Sequence, residues 1–429
     1  MSVKTLLIAE AANPDWVSVP LVGWSLAKAI SRITPAHLVT QIRNCDAILK
    51  AGLTEDKDFT VIDSEAIARP LWRASNFLRG NSGVGWTTST AVAAFSYYYF
   101  ESLVWKRFGS AILRGDFNVV HRITPLSPTT PSILAKKCLR AGVPFVLGPL
   151  NGGVPWPKGF DSARRKEREW LSYVRSAYKF MPAYNSTLES AAALIAGSND
   201  TLQQIPDAYR HKCFYLPENA IDPLRFSLEA KPNSLGCLRA CFVGRLVPYK
   251  GPDMLLEALA PLLQTGHLHL DIIGDGPLMS ALHDFVQKKH IEGNVTLHGW
   301  VDHRNMQELM CQSQLLTFPS IREFGGGVVL EAMALGLVPV VVDYAGPGEL
   351  VTEGIGFKVP IGPRDEIIAN FRSVVGAICD NPEQLRAMSQ TARARVRTLF
   401  TWDAKAEQIM QIYDWVLGSR KEKPVFFGK

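Results

Sequence analysis

The sequence predicts an α/β protein with two doubly wound parallel sheets, one in each half of the chain, facing across a cleft. Three observations predict it. The chain has 429 residues, enough for two large domains. From Leu238 to Val342, short apolar runs alternate with helical stretches across short loops, which is how a parallel sheet with crossover helices reads. From Thr5 to Ile195 a noisier version of the same rhythm recurs. Open sheets of this kind bind ligands at the carboxyl ends of their strands, so a cleft there is the default site.

Composition agrees with folded domains. Hydrophobic residues make up 47% and charged residues 20%, which excludes a disordered chain, a collagen-like fibre and a coiled coil. A chain this long buries sizeable cores without disulfides. The seven cysteines are scattered and none forms a CxxC pair, which argues against a disulfide framework or a structural zinc site. A reducing, cytoplasmic compartment is expected.

The elements follow in order. Thr5–Ala9 reads as a buried first strand. Its apolar run is too short for the core of an export signal, so the protein is expected to stay inside the cell. Gly23 to Ile30 reads as the next helix. Asn81 to Phe100 is uncharged and ends in Phe-Ser-Tyr-Tyr-Tyr-Phe, but it also carries Asn81, Ser82, Thr87, Thr88, Ser89 and Thr90. At barely 20 residues, a buried or interfacial helix is expected rather than a membrane span. Val119–His121, Phe145–Leu147 and Ala193–Ile195 are further strands, and Pro217-Glu218-Asn219 marks a break.

Beyond the break, strands are expected at Leu238–Val243, His269–Ile273, Val295–His298, Leu315–Phe318 and Val338–Val342. Helices are expected at Pro252–Gln264, opened by its proline, and at Leu278–Lys289, Asn305–Cys311 and Val328–Leu335. Trp402 to Leu417 has apolar residues at 402, 406, 409, 412, 413 and 416, one packed helical face. The tail 418–429 is expected to fray. The domains are thus 1–215, then 216–395, then a terminal segment 396–429.

Charge is unevenly shared. Residues 1–215 carry 25 Lys/Arg against 16 Asp/Glu, while the remainder carries 21 against 24. The run Arg164-Arg165-Lys166-Glu167-Arg168 lies beside Trp170, Leu171, Tyr173 and Val174. A membrane surface or a phosphate-bearing substrate suits this basic half, and so does a simple solvated helix. No nucleic-acid-binding module is recognisable.

Three clusters carry chemistry. The first is Gly244-Arg245-Leu-Val-Pro-Tyr-Lys250-Gly251, directly after a strand. The glycine lets a ligand approach the backbone, and Arg245 and Lys250 can neutralise a diphosphate. An ordinary loop with surface cations reads the same way. The second is Glu323-Phe324-Gly325-Gly326-Gly327, followed by a helix that contains Glu331. Exposed amides at a helix start can hold a phosphate, and two carboxylates can accept bonds from hydroxyls. Taken singly, Glu331 could serve the helix dipole and Glu323 could be a solvated loop acid. The third is Asp343-Tyr344-Ala345-Gly346-Pro347-Gly348-Glu349, a small-residue turn at another strand end.

The second half resembles the nucleotide-sugar domain of retaining glycosyltransferases of family 4, in the GT-B superfamily, and is similar to bacterial surface-polysaccharide glycosyltransferases. The matched pieces are GRLVPYKG, IIGDGP, HGWVDH and the glutamate-x7-glutamate motif from Glu323 to Glu331, with the resemblance dense from Leu216 to Pro360. The resemblance implies a GT-B fold of two Rossmann-like doubly wound domains facing across a cleft. The first would bind the acceptor and the second the donor, and the final helix would cross back to the first.

It also implies residue roles. Gly244, Arg245 and Lys250 would hold the donor diphosphate, and Glu323 would meet the sugar hydroxyls. Phe324 and Gly325 to Gly327 would line sugar and phosphate, and Glu331 would contact the ribose. Asn219 matches the asparagine of a PNGVD-like turn, with Ala220 in place of glycine. Gly23 matches a glycine-bearing donor loop, without the usual second glycine. His121 matches an active-site histidine position, although a strand-end histidine is as often a packed, hydrogen-bonded side chain.

The implied reaction is transfer from a UDP-, GDP- or ADP-sugar to a carbohydrate or lipid-linked acceptor. It would use no cofactor and no metal, and would take place in the cytoplasm or at the inner membrane face during polysaccharide or lipopolysaccharide assembly. A nucleotide-sugar epimerase and a catalytically silent nucleotide-sugar-binding partner are the alternatives.

Overall fold

The computed structural model describes residues 3–66, 86–160, 181–230, 237–302 and 305–427. The basic run at 164–168 and its aromatic neighbours lie outside the described residues, as do residues 81–85.

Thirteen strands are described. β1 (Thr5–Ala9), β2 (Ala36–Gln41), β3 (Phe59–Ile62), β4 (Val119–Thr124), β5 (Phe145–Leu150), β6 (Ala193–Ala196) and β7 (Cys213–Tyr215) form one sheet in the order β3-β2-β1-β4-β5-β6-β7. β8 (Leu238–Val243), β9 (Leu268–Ile273), β10 (Val295–Gly299), β11 (Leu315–Phe318), β12 (Val338–Val342) and β13 (Phe357–Val359) form a second, ordered β10-β9-β8-β11-β12-β13. Every pairing within both sheets is parallel. The chain is therefore two doubly wound, Rossmann-like α/β sheets, as the alternating pattern predicts. Parallel strands covered on both faces need apolar runs rather than strict alternation, and β1, β4, β5, β6, β11 and β12 are buried throughout.

Contacts group the chain into two units: Met1–Gly153, Arg168–Glu218 and Trp402–Lys429 in the first, Val154–Glu167 and Asn219–Thr401 in the second. The sequence reading places 154–167 in the first domain. Of the described residues, Val154–Phe160 group with the second unit, and the return to the first unit starts at Trp402.

In the first unit, Trp86–Leu113 is a single helix whose Tyr97, Phe100, Val104 and Ile112 join the core beneath the sheet. Among the described residues, no helix is long and apolar enough to cross a membrane. The Trp402–Val416 helix packs on the Val19–Ile33 helix, and its Ala406, Ile409, Ile412 and Tyr413 are fully buried with Leu7, Leu26 and Ile30. Burial of each such side chain is worth about 1.5–3 kcal/mol for the larger apolar ones. The tail does not fray as expected. Pro424 is buried, and Phe427 packs edge-on against Tyr215 with centroids 5.6 Å apart. Its aromatic residues anchor it.

In the second unit, the Arg364–Asp380 helix packs on the Pro252–Gln264 helix. Arg364 reaches Glu257 at 2.6 and 2.8 Å and Asp253 at 3.1 Å, joining the two helices at their starts. Asp271 of β9 accepts from Arg239 of β8 at 2.7 Å and lies 2.8 Å from His298 of β10, so one carboxylate ties three strands. Burial alone would raise its pKa, but hydrogen bonds from His269, His298 and Arg239 hold the carboxyl well below the usual range.

The strand order of the second sheet reverses between β8 and β11. Loops leaving these two strands part in opposite directions and open a crevice at the carboxyl edge. The first two chemical clusters are the loops that follow β8 and β11, and the third follows β12.

Candidate functional site

The β8 loop starts at Gly244, whose φ of +154° suits glycine, and whose amide donates to Ile273 O at 3.0 Å. The backbone then folds back on itself. Lys250 N donates to Val247 O at 3.0 Å, and Gly251 takes φ +73° before the Pro252–Gln264 helix. This turn points the two cations differently. Arg245 is exposed and has no polar partner among the described residues. Lys250 is mostly buried, lies 5.2 Å from the Phe318 ring centre, and is ion-paired with Glu323.

The β11 loop brings Glu323 to that lysine and continues into the glycines. Gly326 has φ +57° and caps the Gly327–Leu335 helix. Val329 N returns to Gly326 O at 2.9 Å, whereas the amides of Gly325, Gly326, Gly327 and Val328 have no acceptor among the described residues. Four free donors at a helix start make an anion site. Glu331 lies one turn into the helix and is partly exposed. Phe324 is also partly exposed.

The β12 loop closes against the β11 loop. Gly346 N donates to Glu323 O at 3.2 Å, and a Cβ on Gly346 would collide with Phe324 O. Asn219, the first residue of the second unit after the break, lies over Gly327: a Cβ there would be 3.4 Å from Asn219 Nδ2. The structure therefore brings Asn219, Gly244, Arg245, Lys250, Glu323, Phe324, Gly325, Gly326, Gly327 and Glu331 into one unit, at the loops of one sheet edge.

Gly23 and His121 belong to the first unit, and Gly23 lies in the helix the sequence predicts from that position. Gly23 lies inside the Val19–Ile33 helix, not in a loop, and is buried. A Cβ there would run into Ala11 O and come 3.0 Å from Thr124 Cγ2, so glycine serves close packing of helix on strand ends. His121 is 0% exposed. Its Nε2 is 2.7 Å from Gly148 O and its Nδ1 2.6 Å from Tyr413 Oη. A carbonyl only accepts, so Nε2 carries the proton and the tyrosine hydroxyl donates to Nδ1. Burial pushes the imidazole pKa down to about 4, which keeps this neutral form. With both nitrogens taken and no surface exposed, His121 is a packed, hydrogen-bonded side chain in this structure, the second of the two readings its strand-end position allows.

Sequence reasoning missed one part of the site. Val154, Pro155 and Trp156 run alongside all three loops. Arg322 Nε donates to Val154 O at 3.4 Å, Tyr344 Oη donates to Pro155 O at 2.9 Å, and Trp156 packs edge-on to Tyr249 at 6.4 Å. The Arg322 guanidinium lies 5.0 Å from the Trp156 ring centre. The Val-Pro-Trp-Pro composition signals a stiff extended segment but not its destination.

Parts of the chain are similar to known proteins. Residues 230–395 match the family of glycosyl transferases group 1. The chain is 30% identical over 197 residues to glycogen synthase of Mycobacterium tuberculosis, covering 46% of this chain and 47% of that protein. It is 27% identical over 191 residues to the alpha-D-kanosaminyltransferase of Streptomyces kanamyceticus, covering 44% and 47%. The chain thus spans about half the length of these curated relatives. Among solved structures, Anabaena HepE in complex with UDP is 16% identical with a TM-score of 0.63, over 97% of this chain and 100% of that one. The lipopolysaccharide-biosynthesis glycosyltransferase WaaG is 15% identical with a TM-score of 0.56, over 96% and 100%. At such identities the likeness shows the fold. The second unit thus carries the match to glycosyl transferases group 1, on a chain whose two parallel sheets have the GT-B fold.

Proposed function

We propose that the chain is a retaining glycosyltransferase of the hexosyltransferase type, moving a sugar from a nucleotide-sugar donor to a carbohydrate or lipid-linked acceptor. The observation that carries this reading is the conjunction, on one sheet edge, of free amides at Gly325–Val328, the cations Arg245 and Lys250, and the carboxylates Glu323 and Glu331. Amides and cations suit a diphosphate, and carboxylates suit the hydroxyls of a sugar and a ribose.

In this reading the bond between the sugar's anomeric carbon and the diphosphate oxygen breaks. The acceptor hydroxyl bonds to that carbon on the same face, and its proton leaves with the diphosphate. Negative charge grows on the leaving group. Arg245, Lys250 and the glycine amides face that charge and stabilise it, with about 2–4 kcal/mol for a single well-placed donor. Glu323 and Phe324 orient the sugar, Glu331 the ribose, and Asn219 supports the glycine loop. His121 is assigned to the core rather than to the reaction. The resemblance of the HepE structure, described as bound to UDP, puts UDP-sugars first in the search.

The test is calorimetry and nucleotide release with a panel of UDP-, GDP-, ADP- and dTDP-sugars. One sugar nucleotide is expected to bind and slowly release its nucleotide. A released epimer without acceptor would instead indicate an epimerase, and a panel in which nothing binds would sink the reading. Once an acceptor is found, the anomeric configuration of the product by NMR decides retention.

A further inference from the structure

We propose that Trp156 is a positioning residue for the donor loops, and that Val154–Trp156 is a strap that sets the spacing between them. The inference rests on the reading of this edge as the nucleotide-sugar site.

Three consecutive residues engage three different loops. Val154 O receives Arg322 from the β11 loop, Pro155 O receives Tyr344 from the β12 loop, and Trp156 packs against Tyr249 of the β8 loop. The same Arg322 covers the Trp156 ring at 5.0 Å, so two loops meet on one indole. Two of the three engaged residues stand beside a residue of the proposed donor site: Tyr249 precedes Lys250, and Arg322 precedes Glu323. Tyr249 O also accepts Ile321 N at 3.0 Å and Ser320 Oγ at 3.3 Å, so a shift of Tyr249 is passed to the β11 loop.

Chain stiffness makes this a strap rather than a passing contact. Pro155 and Pro157 fix their φ angles on either side of Trp156, so little conformational freedom is lost in holding the indole in place. A tryptophan gives an edge to an aromatic ring and a face to a guanidinium at once. Phenylalanine supplies a smaller version of both, and alanine neither. The strap contacts fall on Tyr249, Arg322 and Tyr344, two of them the chain neighbours of Lys250 and Glu323, so the strap acts through those two residues rather than on the ligand.

The experiment compares wild type with Trp156→Ala, Trp156→Phe and Tyr344→Phe. In protein without ligand, hydrogen exchange of the amides at 245–251 and 320–327 is expected to rise at least tenfold in Trp156→Ala and to return toward wild type in Trp156→Phe. With the selected sugar nucleotide, the Kd of Trp156→Ala is expected to rise tenfold or more, and that of Tyr344→Phe about threefold. Unchanged exchange overturns the strap whatever the donor does, and so does unchanged binding by the variants. If Trp156→Ala does not fold, Tyr344→Phe, which removes only a hydroxyl, decides alone. A wild-type protein that binds no sugar nucleotide, yet shows the exchange difference, overturns the reading of the site and leaves the strap standing.

Discussion

Lys250 and Glu323 are ion-paired across two loops that leave neighbouring strands of the second sheet, so the cation is held by a carboxylate in the protein without ligand. In the proposed reading, an incoming diphosphate would compete for that lysine, and the freed carboxylate would become available to a sugar hydroxyl. The two residues therefore have separable effects. Lys250→Ala and Arg245→Ala are each expected to lower turnover about 10²–10³-fold, the usual effect of losing one well-placed donor to a developing negative charge. Glu323→Gln is expected to leave binding of the nucleoside diphosphate unchanged or tighter, because Lys250 loses its internal partner, while sugar transfer falls. Calorimetry with the diphosphate and turnover with the sugar nucleotide measure the two effects. Weaker diphosphate binding in Glu323→Gln would contradict this account.

Gly346 tests the packing of the loops without touching a charge. Its amide bonds to Glu323 O, and its missing Cβ leaves room for Phe324 O. Gly346→Ala must push the two loops apart. Overpacking of this kind costs about 1–3 kcal/mol. Urea denaturation should show that loss, with weaker nucleotide binding beside it. A variant with wild-type stability would mean the loops yield freely.

How much of this was legible in the sequence depends on range. β8, β11 and β12 are apolar runs closed by small or turn-forming residues, and their bounds follow from composition alone. β2, β3, β7 and β13 escaped notice because they are short or mixed: Phe357–Val359 has three residues and one is exposed. The residue types of the donor loops announce their chemistry, since glycines, cations and acids fall within a few positions of a strand end. Contacts made across long separations leave no local trace. His121 is fixed by Tyr413, 292 positions later, and no periodicity around His121 reveals that partner. Arg322 and Val154 are 168 positions apart.

The His121 assignment makes a pH prediction. Its folded pKa of about 4 lies below the ordinary histidine value of 6.5. Between these values the unfolded chain binds the proton and the folded one does not, so stability is full above about 6.5 and falls as pH drops toward 4. The span corresponds to about 3 kcal/mol. His121→Gln is expected to be less stable at pH 7, because neither packing nor both bonds are matched, but to lose less on acidification. A difference between wild type and variant that does not change from pH 7 to pH 4.5 would refute it, and so would an NMR titration of His121 itself that falls near 6.5.

Lys405 carries the same kind of buried titration in a higher pH window. It lies in the final helix, is 1% exposed, and donates to Pro217 O just before the start of the second unit. Burial pushes its pKa from 10.5 down to about 7, opposed by the charge of Glu218. Glu218 in turn accepts from Asn151 Nδ2 at 3.1 and 3.3 Å. Between pH 7 and 10.5 the unfolded chain holds a proton on this lysine that the folded chain has released, so its contribution to stability grows as pH rises through that window. Lys405→Met keeps the volume, removes the titration, and leaves Glu218 without that cation. Relative to the variant, wild type is expected to gain stability from pH 7 to pH 9, by up to about 2–3 kcal/mol. Pairing the variant with Glu218→Gln should recover part of the loss at pH 7, since the buried carboxylate is then neutral too. Denaturant midpoints of the four proteins at the two pH values decide the matter. Equal pH slopes would show that Lys405 titrates alike in the folded and unfolded chain, and additive losses would show that Glu218 is not its partner.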